Sequence, residues 1–158
     1  MRNKDELLDL VAEAICAEAF DIDESLPWRE QLATGLRQFR ALLRSHRDAA
    51  QLLRARPPRG PHRLGHIETT TRILLDAGFS PTDTAAISVL LADHVLASAA
   101  EDDRRTGTAP RAGLSPPEGF PHLARVAPAY RELTGEALFE LGVQVLLDGL
   151  AARLSGTA

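Results

Sequence analysis

The chain has almost none of what marks the commoner functional classes. It holds one cysteine, Cys16, which excludes an internal disulfide framework and a zinc site built on several thiolates. Aromatic residues are only 4%, and the net charge is −4, so there is neither a basic footprint for a nucleic-acid backbone nor aromatic interleaving beside it. No apolar run approaches the ~20 residues of a membrane span. The start, Met1-Arg2-Asn3-Lys4-Asp5-Glu6, is charged and lacks a signal-peptide core. A reducing, cytoplasmic setting without a membrane partner is the expectation. Glycine-rich phosphate loops, nucleophile elbows and paired-carboxylate signatures are also missing. The chain reads as no enzyme and as needing no cofactor.

What is present is leucine and alanine. Hydrophobic residues are 44% of 158, enough for one domain (1–158) with a real core. Leucine and alanine lose little on entering a helix, and no strand pattern competes. The spacing predicts helices over Lys4–Phe20, from Pro27-Trp28 through Leu43, and over Arg47–Arg56, His62–Ala77, Pro81–Asp103, Phe120–Tyr130 and Thr134–Leu154. Asn3, Ser80 and Thr134 are the expected caps, and Gly78 the expected stop of the fourth helix. The class is all-α, a bundle of about seven helices. Pro57-Pro58-Arg59-Gly60-Pro61 must be a loop, and Arg104–Gly119 is the expected mobile segment. Arg37, Arg40, Arg44 and Arg47 form a basic stripe, read as a solvated face.

Two helices carry more apolar surface than one core contact needs. In the last, Phe139, Val143, Leu146, Leu147, Leu150 and Leu154 make one stripe, while Leu141, Val145, Gly149 and Ala152 make another. The Ala85–Asp103 stretch repeats the pattern, with Val89, Ala92 and Leu96 on one side. Either both helices lie at the centre of one bundle, or both contribute to a homodimer through a four-helix bundle across a two-fold axis.

Polar residues stand in apolar places. His94, with Ser98 and Glu101, interrupts the wall of the fifth helix. His66 and Thr70 share a stripe with Ile73 on the fourth. Such groups orient a small molecule in an apolar pocket. A core histidine bonded to a carbonyl, or a threonine bonded back to its own helix, explains them equally. His62 and His66 have a metal-ligand spacing without a neighbouring carboxylate, so no metal is expected.

Several ordered segments resemble the TetR family of transcriptional regulators, in its tetracycline-repressor branch. They are Asn3 to Asp9, Trp28-Arg29 through Phe39, Ala41 to Ala50, Arg56-Pro57-Pro58, Asp76 to Ser80, Phe139 to Gly142 and Leu147 to Leu150. The resemblance implies an all-helical effector-binding and dimerisation domain, a small-molecule effector and a homodimer. It also implies that the helix-turn-helix lies outside this sequence, so that this chain alone binds no DNA. Phe39, Thr70 and Glu101 match pocket positions of that branch. Phe20 replaces a pocket histidine, Gly35 a pocket asparagine, and the metal-binding histidine near Leu52-Leu53 is absent. These departures argue against a drug–magnesium chelate and for a more apolar effector, held by Phe20, Phe39, Ile73 and Leu91 and oriented by His66, Thr70, His94 and Glu101. The implied dimer face is Val89, Ala92, Leu96, Leu141, Val145, Gly149 and Ala152. The alternative is a headless module that forms mixed dimers with an intact regulator and needs no ligand.

Overall fold

The fold is that of a computed structural model, which describes residues 3–105 and 112–156. Seven helices follow one another: α1 (Lys4–Ile15), α2 (Trp28–Arg44), α3 (Ala49–Ala55), α4 (Pro61–Asp76), α5 (Pro81–Arg104), α6 (Pro121–Tyr130) and α7 (Gly135–Gly156). No strand occurs among the described residues. The expected mobile segment, Arg104–Gly119, falls partly outside them.

Local chemistry sets most boundaries. The Asn3 side chain accepts from Glu6 N at 2.9 Å, and Ser80 Oγ accepts from Asp83 N at 3.1 Å with Pro81 behind it. Thr134 Oγ1 accepts from Ala137 N at 3.1 Å. Gly78 closes α4 at φ 105°, a left-handed conformation that suits glycine, and Phe79 N reaches back to Leu74 O at 3.2 Å.

The long α1 expected from periodicity does not form. It ends at Ile15, where Cys16 N and Ala17 N bond to Glu13 O and Ala14 O at 3.1 and 3.2 Å, tightening the last turn. Phe20 therefore lies in the linker to α2. Asp21 N donates to Gln38 Oε1 at 2.8 Å, and Gln38 Nε2 donates back to Asp21 O at 2.6 Å, so α2 holds that linker.

Helix α5 is the centre, touching α2, α3, α4 and α7. Leu91 and Val95 meet Leu43, Leu74, Phe139 and Val143 in a core closed to solvent. By length and composition alone α5 is long and apolar enough to cross a membrane. Only 28% of its most apolar stretch is buried within this chain, so a central helix still leaves much apolar surface without a partner.

The basic stripe is only partly a solvated face: Arg37, Arg44 and Arg47 are exposed, but Arg40 is buried. Arg40 is 4% exposed and pairs with Asp102 of α5 at 2.9 Å and Glu136 of α7 at 2.5 Å. Its guanidinium carbon lies 4.6 Å from the centre of the Phe139 ring. Arg37 grips Glu140 through two bonds of 2.8 and 2.7 Å, which hold that carboxyl below its ordinary range. These arginines join α2 to α5 and α7 because their acidic partners lie on distant helices that spacing along α2 does not reveal.

Helix α1 is attached differently. Ala12 is its one buried residue, and Leu7, Leu10 and Val11 stay exposed. Arg56 binds Asp9 at 2.8 Å and Asp5 at 3.0 Å. The Glu13 carboxylate accepts from His62 N, and from Arg63 N at 3.3 Å. Gly60 offers α4 no side-chain cap, so Glu13 of α1 caps α4 from outside.

Candidate ligand-binding cavity

A cavity of about 320 Å³ opens between the α1–α2 linker, α2, the end of α3, α4 and α5. That volume lies at the lower end of small-molecule sites. Phe20 and Ile22 reach it from the linker, Leu36 and Phe39 from α2, and Leu91 from α5. Gly35 of α2 makes room, since a Cβ there would sit 3.2 Å from Ile22 Cδ1. His66, Thr70 and Ile73 form the α4 wall.

The aromatic groups are mutually ordered. The Phe20 and His66 rings stack at 4.0 Å and 28°, and Phe39 tilts against Phe20 at 6.1 Å. His66 Nε2 lies 2.7 Å from the backbone carbonyl of Glu18, so Nε2 carries the hydrogen and donates it. The buried Nδ1 has no hydrogen-bond partner, and neither does the buried Oγ of Ser88 on the same cavity wall. The Thr70 hydroxyl donates back to His66 O at 3.3 Å, within its own helix. Arg54, Arg56, Arg63 and Asp93 also line the cavity. Arg63 donates to Leu53 O at 3.0 Å and Arg56 O at 2.8 Å, tying α4 to the end of α3.

Burial pushes the His66 imidazole below its ordinary value of 6.5, outweighing the Glu18 carbonyl and Glu13, which pull it up. The unfolded chain therefore takes up this proton at higher pH than the folded chain. Stability contributed by neutral His66 is complete above about pH 6.5 and declines as the pH falls from there toward the lower folded value. Thermal denaturation between pH 7.5 and 5 checks this. Wild type should lose stability on acidification by more than His66→Phe does, and parallel curves would remove His66 as the cause. Burial also raises the Cys16 thiol, which leaves it a neutral part of the wall.

Six of the eight expected ligand residues, Phe20, Phe39, His66, Thr70, Ile73 and Leu91, line this cavity together. His94 and Glu101 do not. They lie on a separate concavity with Ser98, Asp102 and Phe139. His94 Nε2 donates to Phe139 O at 3.1 Å, and its ring stacks on Phe139 at 5.4 Å and 5°. A Cβ on Gly142 would collide with the imidazole, so glycine there lets α7 approach α5. His94 is a packing residue in this interface. His94→Ala should cost about 1–3 kcal/mol in chemical denaturation and leave guest affinity in the main cavity unchanged. Weakened guest binding at intact stability would contradict that placement.

The expected dimer face also divides. Val89, Leu141 and Val145 are 62%, 56% and 61% exposed, and Gly149 and Ala152 are open as well. Ala92 and Leu96 instead line the cavity. Because α5 meets different neighbours along its length, the stripe open at Val89 becomes a cavity wall one and two turns later. Sequence reasoning missed Ser88 and Ile22. A single hydroxyl one turn before Leu91 and Ala92 in an apolar run was the available signal for Ser88. Among the described residues, no group of three or more His, Cys, Asp or Glu is placed to hold a metal ion.

An all-helical domain folded round an apolar cavity with a few ordered polar groups has the make-up of a small-molecule-binding domain. The chain belongs to the tetracycline-repressor-like C-terminal domain family, whose model matches residues 23–154. It is 36% identical to the tetracycline repressor protein class A from transposon 1721 of Escherichia coli, over 96% of this chain and 72% of that protein. It is also similar to the apo structure of ActR from Streptomyces coelicolor, with a TM-score of 0.86 and 31% identity, over 99% of this chain and 78% of that one. The complex of ActR, a TetR family protein, with actinorhodin matches at a TM-score of 0.84 and 30% identity, over 96% and 77%. These relatives are regulators rather than enzymes.

Proposed function

We propose that this chain is the effector-binding and dimerisation domain of a TetR-like transcriptional regulator, and that a small, largely apolar molecule occupies the cavity. The observation that carries the reading is the cavity itself, walled by Phe20, Phe39, Ile73 and Leu91, with His66 and Thr70 as its polar groups. ActR, which shares this fold, has been seen with actinorhodin bound.

Occupancy acts through α1. Phe20 and Glu18 belong to the linker that leaves α1, and both contact His66 on the cavity wall. A guest that favours one arrangement of this linker favours one placement of α1, and so one spacing of the DNA-reading heads in a dimeric regulator. Homodimerisation is proposed through the open faces of α5 and α7, at Val89, Leu141, Val145, Gly149 and Ala152.

Native mass spectrometry of the purified chain tests both halves. A dimer that retains a small molecule, with retention reduced in Phe39→Ala, is the expected result. An empty monomer that also takes up no aromatic guest would overturn the reading.

A further inference from the structure

The hydrogens already committed around the cavity define what a guest must bring. Gln31 Nε2 donates to Glu24 O and Leu26 O at 3.2 and 2.7 Å, so its amide hydrogens face the backbone. The Thr70 hydroxyl hydrogen is directed to His66 O. His66 directs its one ring hydrogen to Glu18 O, and Nδ1 is left as a buried lone pair with no partner. Ser88 Oγ is buried and also without a partner. Of the lining arginines, Arg56 already bonds to Asp9 and Asp5 and Arg63 to the Leu53 and Arg56 carbonyls, so the α4 wall offers acceptors and few donors. A buried acceptor left unpaired is costly, and a site with such an acceptor discriminates strongly against a guest lacking the matching hydrogen.

We infer that the cavity selects aromatic guests bearing a free hydroxyl, whose O–H donates to His66 Nδ1, with Ser88 Oγ meeting a second polar atom of the guest; this rests on the reading of the cavity as the effector site. The stacked Phe20 and the tilted Phe39 hold the flat ring beside the imidazole. Neutral His66 is required, because protonation turns Nδ1 from acceptor into donor. Its charged and titratable surroundings are Glu13 and Cys16 from the α1 side, His62 and Arg63 on α4, Arg54 and Arg56 from α3, and Asp93 on α5.

Two probes of nearly equal shape isolate the hydrogen. 2-Naphthol has the hydroxyl, and 2-methylnaphthalene replaces it by a methyl group. Calorimetric titration of the whole chain at pH 7.5 should show 2-naphthol binding at least tenfold more tightly, although the methyl compound is the more apolar. His66→Phe keeps a ring against Phe20 and should abolish or reverse the preference, and Ser88→Ala should reduce it. If His66→Phe does not fold, wild type titrated at falling pH supplies the same comparison: affinity for 2-naphthol should drop while that for 2-methylnaphthalene holds. Equal binding of the two probes to wild type would overturn the inference and leave the effector site standing. So would a preference that survives both His66→Phe and acidification. Failure of both probes to bind wild type would overturn the effector-site reading together with it.

Discussion

Gly149→Arg should yield monomers at concentrations where the proposed wild-type dimer forms. Leu141, Val145, Gly149 and Ala152 follow one another along the outer face of α7, and all four are exposed in the single chain. Outside its own stretch of helix, nothing lies within 4 Å of where a Gly149 Cβ would be, so a side chain there starts into open space. In the proposed dimer the same position faces its own copy across the two-fold axis, where glycine permits close helix approach. An arginine there separates the helices and is desolvated twice. At about 2 kcal/mol for each copy, the total is about 4 kcal/mol, or roughly a thousandfold in dissociation constant. Sedimentation velocity should show the monomer, and circular dichroism should show unchanged helix content. An unaltered dimer would exclude this face.

Loss of Arg40 should be far more damaging than loss of its neighbour Arg37. Its side chain is 5% exposed, lies over Phe139 and answers Asp102, which is itself only 21% exposed. Arg40→Ala removes the packing and leaves Asp102 only its longer contact with the half-exposed Arg44, at 3.7 Å. Breaking a buried pair by removing one partner costs 3–5 kcal/mol in general; the partial exposure of Asp102 and the 62% exposure of Glu136 favour the lower end, about 3 kcal/mol. For a domain of this size the melting temperature should fall by roughly 6–12 °C. Arg37→Ala is the control, because Arg37 is 52% exposed and its pair with Glu140 should be worth at most about 1 kcal/mol. Equal losses in the two variants would mean that the burial of Arg40 contributes nothing.

These two residues also mark where the sequence was legible and where it was not. The helices, their caps at Asn3, Ser80 and Thr134, and the two-faced character of α7 follow from periodicity and local hydrogen-bonding capacity. Both signals act over a few residues. The α7 core stripe emerged with Phe139, Val143, Leu147 and Leu150 buried. Arg40 was misread as solvated because its partners are 62 and 96 residues away. His94 and Glu101 were grouped with His66 and Thr70 by chemical type, but α5 is long enough to serve two different surroundings along its length. The cavity wall at Ala92 and Leu96 was assigned to the dimer face for the same reason. Phe20 reached the cavity by a different route from the one periodicity suggests, as part of a linker rather than of α1. Only the tertiary fold shows that Glu18, two residues before it, completes His66.

Glu13 gives this linker a further consequence. Its carboxylate caps α4, and α4 carries His66 and Thr70, so α1 and the cavity wall share a hydrogen-bonded joint at each end of the 13–18 stretch. Displacing α1 uncaps α4 and withdraws the acceptor that fixes the His66 ring. Linkage then runs in both directions. If occupancy shifts α1 as proposed, any body that grips α1 and holds it in one place would change the affinity of the cavity by the same factor by which an occupant changes that grip. The tightness of a guest measured on this chain alone would then be one corner of a thermodynamic square, with the load on α1 setting the opposite one.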